Sequence, residues 1–196
     1  MIKRYFVKSF WLTCELLLKT RHRYNYIGLQ NIPKDKAVLL VGNHVSWIDW
    51  FALQLPIDRQ INFLIDKDIY NWKVFNRVFK VGELIPVSPK AAKDSFTEAS
   101  SRLKNGKIVA IFPEGSISKD ECIAKFNRGY EYIDTSDAVL VPFFIDGVYG
   151  SVFSRYKGEN KKSFFKKRDI TISFGEPILN NIKSDELRDV VKGLKR

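Results

Sequence analysis

A chain of 196 residues with 45% hydrophobic side chains, 15 Phe, 8 Tyr and 4 Trp holds enough apolar material for one well-packed domain, which excludes intrinsic disorder. Its 2 Cys exclude a disulfide framework and a zinc cluster, and fit a reducing compartment. The formal net charge of +11 points to an anionic partner.

The first element in chain order is a predicted helix from Ile2 to Leu18, with Phe6, Phe10, Leu17 and Leu18 near one face and Trp11, Leu12 and Leu16 widening it. About 17 residues at helical rise reach roughly 25 Å, and Lys8 and Glu15 interrupt the apolar surface. The segment is therefore expected to lie in a membrane interface rather than to cross it. Lys3, Arg4, Lys8, Lys19, Arg21 and Arg23 stand here against Glu15 alone. With no small-residue cleavage site, the segment does not read as a secretory signal. Residues 1–26 are thus expected to form an amphipathic anchor ahead of a domain at 27–196. His22, with no carboxylate nearby in sequence, reads as a surface residue.

From residue 37 onward, short β-rich runs alternate with helical patterns. Strands are predicted at 37–43, 61–65, 83–87, 107–112, 138–147 and 169–175. Helices are predicted at 47–55, 69–80, 90–105 and 184–194, with a short one near 128–135; Ser184 is a candidate cap for the last. Fully apolar runs such as Ala37–Val41 and Ile108–Phe112 suit a sheet covered on both faces. The expected fold is α/β, a mostly parallel sheet flanked by helices.

Two constellations follow directly on predicted strands, where ligand and catalytic groups of α/β folds collect. The first is Gly42-Asn43-His44-Val45-Ser46-Trp47-Ile48-Asp49. On one continuous helix, residues five apart lie about 140° from each other. His44 and Asp49 can meet only if His44 sits in the strand-to-helix turn and Asp49 in the first turns of the helix, with Ser46 as its N-cap. A carboxylate on one imidazole nitrogen fixes the tautomer and leaves the other free to take a proton. A hydrogen-bonded structural histidine is the competing interpretation. The second constellation is Phe112-Pro113-Glu114-Gly115-Ser116-Ile117-Ser118, followed by Arg128-Gly129. Gly115 lets the backbone turn, and Ser116 and Ser118 offer polar groups to an anion. An ordinary turn remains the alternative. No GxSxG elbow, P-loop, GxGxxG or zinc-type His pair is present.

The last feature is residues 155–168, seven basic residues against Glu159, interleaved with Tyr156, Phe164 and Phe165. Cations beside aromatic rings suit an anionic membrane surface. Nucleic acid could use the same chemistry, but no nucleic-acid motif is present and none is expected as a partner.

Together, Asn43-His44-Val45-Ser46-Trp47-Ile48-Asp49, Phe112-Pro113-Glu114-Gly115, Lys67 with the stretch Gly82–Val87, and Val141-Pro142 resemble, in order from about residue 28 to 178, the blocks of the glycerolipid acyltransferases, the 1-acylglycerol-3-phosphate acyltransferase family with its HxxxxD and FPEG motifs. The resemblance implies O-acyl transfer from an acyl thioester, acyl-ACP or acyl-CoA, to the hydroxyl of a lysophospholipid, with no other cofactor and no metal. It implies His44 as general base and Asp49 as the group that holds it. It also implies substrate contacts from Asn43, Ser46, Lys67, Glu114, Gly115, Ser116 and Arg128. Partners would be the lysophospholipid acceptor, the acyl carrier protein or CoA donor, and a membrane surface with anionic lipids. The place of work would be the cytoplasmic face of the inner membrane, peripheral or monotopic. Many members carry Arg where this chain has Ile117, and end the middle block in Arg where this chain has Pro89 and then Lys90. With Gly150–Arg155 downstream, the Ile117 variant resembles the subgroup acting on lysophospholipids that carry a headgroup. A non-catalytic lipid-binding adaptor of the same fold is the alternative.

Overall fold

The computed structural model describes residues 20, 22–155, 167–179 and 182–196. The expected helix at 2–18 and most of the basic segment 155–168 lie outside the described residues. Seven strands, β1 (His22–Ile27), β2 (Ala37–Gly42), β3 (Ile61–Asp66), β4 (Ile85–Val87), β5 (Ile108–Ile111), β6 (Ala138–Asp146) and β7 (Arg168–Phe174), form one sheet in the order β1-β7-β6-β2-β5-β3-β4. Among these seven strands, β6 and β7 pair antiparallel and the other neighbours pair in parallel. The expectation of a mostly parallel α/β sheet holds.

β2 is central, paired in parallel with β6 and β5, and buried along its length. Its alternation divides the core. Val38 and Leu40 face a layer with Ala52, Leu53 and Phe79, from α1 (Asp49–Gln54) and α3 (Asn76–Val81). Leu39 and Val41 face Ala99, Leu103, Leu187 and Val191, from α4 (Ala92–Lys104) and α5 (Ser184–Gly193). Each such aliphatic side chain taken out of water contributes about 1.5–3 kcal/mol, so a strand apolar on both faces is held in the middle. Because β3, β5, β2 and β6 run together, their carboxyl ends open on one edge of the sheet.

Four local expectations change. Residues 22–27, assigned to the anchor as far as residue 26, pair with β7 as an edge strand, so the sheet begins at His22. His22 is buried, its ring against Tyr24 and Phe153, rather than on the surface. The helix expected at 69–80 is two short ones, α2 (Lys67–Tyr70) and α3, split by a turn at 71–75. Ser184 does not cap α5; it is the first helical residue, and its amide donates to Glu131 Oε1 at 3.0 Å.

Candidate active site

The site begins where β2 stops. Gly42 packs so closely on β6 that a side chain there would collide with the Phe143 carbonyl oxygen and ring. One residue on, the Asn43 side chain takes over the ladder: its amide donates to Ile145 O at 2.9 Å, and its carbonyl accepts from Ile145 N at 2.7 Å. The side chain thus continues the pairing while the main chain turns away. His44 is delivered at the carboxyl edge between β6 and β5.

Asp49 organises the turn that follows. Its Oδ2 accepts from His44 Nδ1 at 2.9 Å, from Val45 N at 2.7 Å and from Ser46 N at 2.9 Å, while Oδ1 accepts from the Ser46 hydroxyl in a short bond. Asp49 is fully buried, whereas the His44 side chain is 21% exposed. With Asp49 accepting, Nδ1 carries the hydrogen and Nε2 the lone pair. This network also explains why α1 starts at Asp49 rather than at residue 47. Ser46 is no N-cap: its hydroxyl is bound to Asp49, and the N-cap position falls to Ile48. The carboxylate folds residues 44–46 into a loop that helical geometry would forbid.

β5 lies beside β2, so the loop after it meets the imidazole. Phe112 stacks on the His44 ring, centroids 4.2 Å apart and planes at 17°. Glu114 Oε1 accepts from the His44 amide at 2.7 Å and Oε2 from Ala124 N at 2.9 Å. Burial pushes the Glu114 carboxyl above its ordinary range, against the opposing pull of the two amides. The loop returns once more at Ser118, whose amide donates to His44 O at 2.8 Å. Gly115, at φ +71°, supplies the left-handed turn that lets Glu114 point back at His44.

Several residues expected at the substrate stand behind the site instead. Asn43, Ser46 and Glu114 are buried, and their polar atoms are engaged in the bonds above. The Ser118 hydroxyl donates to Asp120 O and Cys122 O rather than facing an anion. Ile117, where many relatives by motif carry Arg, is a core residue. Gly115 and Ser116 are exposed on the loop. Lys67 is exposed at the carboxyl end of β3, two strands from β2, hence about 10 Å along the same edge. Arg128 turns to Glu131, Nε to Oε2 at 3.2 Å. Sequence reading assigned no part to Phe112 or Phe153. Phe153 O accepts the Trp47 amide at 3.0 Å and braces the histidine loop from the far side. The Phe at the head of FPEG was the available signal for the first; the second is a main-chain contact and leaves none.

The arrangement is a part-exposed imidazole held through Nδ1 by a buried carboxylate, a group able to take a proton from an alcohol. Comparison with known proteins agrees with that chemistry. A family model described as Acyltransferase matches residues 23–146. The 1-acyl-sn-glycerol-3-phosphate acyltransferase of Bacillus subtilis (strain 168) is 26% identical over 168 residues, 84% of this chain and 78% of its own length. A chloroplastic 1-acyl-sn-glycerol-3-phosphate acyltransferase of Arabidopsis thaliana is 26% identical over 141 residues, 70% of this chain; that match spans only 39% of the plant protein. The lyso-ornithine lipid O-acyltransferase of Rhizobium meliloti (strain 1021) is 28% identical over 90 residues, 44% of this chain and 30% of its own length. In fold, the chain resembles the crystal structure of the 1-acyl-sn-glycerophosphate acyltransferase of Thermotoga maritima, with TM-score 0.74 and 23% identity over 97% of this chain and 77% of that one.

Proposed function

The chain belongs to the acyltransferase family, and we propose that it moves a fatty acyl group from an acyl thioester to the free hydroxyl of a lysophospholipid. The observation that carries the reading is His44 held through Nδ1 by a buried carboxylate, with Nε2 left for the acceptor. The hydroxyl gives its proton to Nε2 as its oxygen bonds to the thioester carbonyl carbon. The carbon–sulfur bond then breaks, and the sulfur leaves with the proton returned from the imidazolium. Asp49 stabilises the imidazolium while it lasts, and Phe112 holds the ring plane. The thioester, on acyl carrier protein or coenzyme A, is the co-substrate, and the reaction as drawn takes no further cofactor.

The relatives' names include both 1-acylglycerol-3-phosphate and lyso-ornithine lipid acceptors. In this chain the Ile117 position is buried and apolar, and Arg128 pairs with Glu131 at the surface, so the loop holds no fixed cation at the place where many members carry Arg. A lysophospholipid bearing a headgroup is therefore the better fit. On this proposal the reaction runs at the cytoplasmic face of the membrane, where the basic–aromatic segments 1–23 and 155–168 would meet anionic lipid.

The test is acyl transfer to a panel of competing lysophospholipids by the protein and by His44→Ala. The variant is expected to lose about 10²–10⁴-fold in kcat with an unchanged melting temperature. Near-normal turnover would remove His44 from the chemistry. Consumption of 1-acylglycerol-3-phosphate ahead of the headgroup-bearing acceptors would overturn the acceptor assignment.

A further inference from the structure

The turn between α2 and α3 carries apolar side chains that the core does not use. Trp72 is 50% exposed, Val74 81% and Phe75 40%, and Trp47 of the histidine loop is 46% exposed. The Trp47 and Trp72 rings meet, centroids 6.4 Å apart at 30°, so the turn and the histidine loop form one surface. Trp72 N donates to Ile69 O at 3.0 Å, and Trp72 O accepts from Phe75 N at 3.0 Å and Asn76 N at 2.8 Å, which puts Val74 at the tip. Behind it, Phe75 stacks on buried Phe79 at 5.9 Å. The shelf is braced from the core. Single exposed apolar residues are ordinary on a protein surface, but four large ones grouped beside a reaction centre form an interaction patch.

The charge around the shelf says what it fits. Lys67, Lys73 and Arg77 are exposed on α2, the turn and the start of α3. Asp66, which caps α2 by accepting from Asp68 N and Ile69 N, and Asp68 in that first turn stand against them, so the cations keep only a small excess. Tryptophan settles at the headgroup level of a bilayer, and lysine and arginine are drawn to anionic lipid. We infer that residues 72–75 with Trp47 seat in the headgroup layer of an anionic bilayer, so that the lysophospholipid passes from the membrane to His44 without crossing water. This rests on the acyltransferase reading for its purpose but not for its test.

The test uses the full chain carrying Cys14→Ser, Cys122→Ser and Val74→Cys, labelled at residue 74 with an environment-sensitive fluorophore. Vesicles of about 30 mol% phosphatidylglycerol in phosphatidylcholine should shift its emission to the blue, and lipids with a shallow quencher should dim it. Val74→Glu in the otherwise natural chain is a fold-neutral companion. It should lower vesicle partition by about tenfold and turnover of vesicle-borne acceptor in step. Turnover of a short-chain acceptor below its micellar concentration should stay the same. No emission shift together with unchanged partition would overturn the inference. So would a Val74→Glu protein that melts lower yet partitions normally, since that marks the shelf as covered by another part of the chain. If the natural chain acylates neither acceptor, the proposed activity fails while the emission shift still judges the shelf.

Discussion

Asp49 serves both the chemistry and the loop, and the two duties separate by substitution. In Asp49→Asn, the side-chain oxygen can keep the place that accepts from His44, Val45 and Ser46, while the new amide turns to the Ser46 hydroxyl. The loop survives, but the negative charge beside the imidazolium is gone. kcat is expected to fall by about 10²–10⁴-fold with a melting temperature close to that of the natural protein. Asp49→Ala strands two buried amides as well, at about 1–3 kcal/mol each, and should lose stability along with activity. Calorimetry and initial rates on the two variants check the distinction. Equal losses of stability in both would mean that the charge, not the hydrogen-bond acceptor, holds the turn.

At the scale of elements, the connections at the amino end of β5 are joined by Glu83. This residue, at φ +54°, lies between α3 and β4 and accepts from Lys107 Nζ in a short bond and from Arg102 Nη1 at 3.0 Å. The Lys107 hydrogen bond, then the nearby positive charges, hold its carboxyl below the ordinary range, although partial burial opposes them. A carboxyl depressed in the folded state adds stability above its unfolded value, and that stability is lost as the pH falls through the folded one. Glu83→Gln should therefore have a lower urea midpoint at pH 7, with the difference closing as acid protonates the natural residue. A gap that stayed constant down to pH 2 would contradict this. The same region marks the limit of sequence reading. The apolar strands and both site loops were legible because fully buried strands and HxxxxD carry their own pattern. The break in the helix at 69–80 was not, since Ile69, Tyr70, Val74, Phe75, Val78 and Phe79 fit a helical stripe whichever of them faces the core. Nor were the duties of Asn43 and Glu114, whose partners lie 102 and 70 residues away. β1 escaped notice because an edge strand alternates only weakly, and its Arg23 pairs with Asp169 at the surface.

For the whole molecule, the boundary between sheet and amino-terminal segment becomes a matter of where the chain is cut. Among the described residues no helix is long and apolar enough to cross a membrane, and the proposed attachment uses surface elements, the shelf at 72–75 and the basic segments. Two weak attachments on one body act together, the second binding at the high local concentration set by the first. Removing residues 1–19 should leave β1 and a cooperative melt intact while reducing co-sedimentation with anionic vesicles. Removing residues 1–27 takes away the six-residue parallel ladder that covers the edge of β7, where Ile170 and Ile172 are buried, and should abolish cooperative unfolding. Salt separates the two contributions. At about 1 M the screening length shrinks to about 3 Å, so the attraction of exposed cations collapses while apolar seating persists. At that salt the shorter deletion should therefore leave an apolar binding remnant, weaker than at low salt, that Val74→Glu lowers further. A remnant abolished by salt alone would assign attachment to charge and leave the shelf without a share in it.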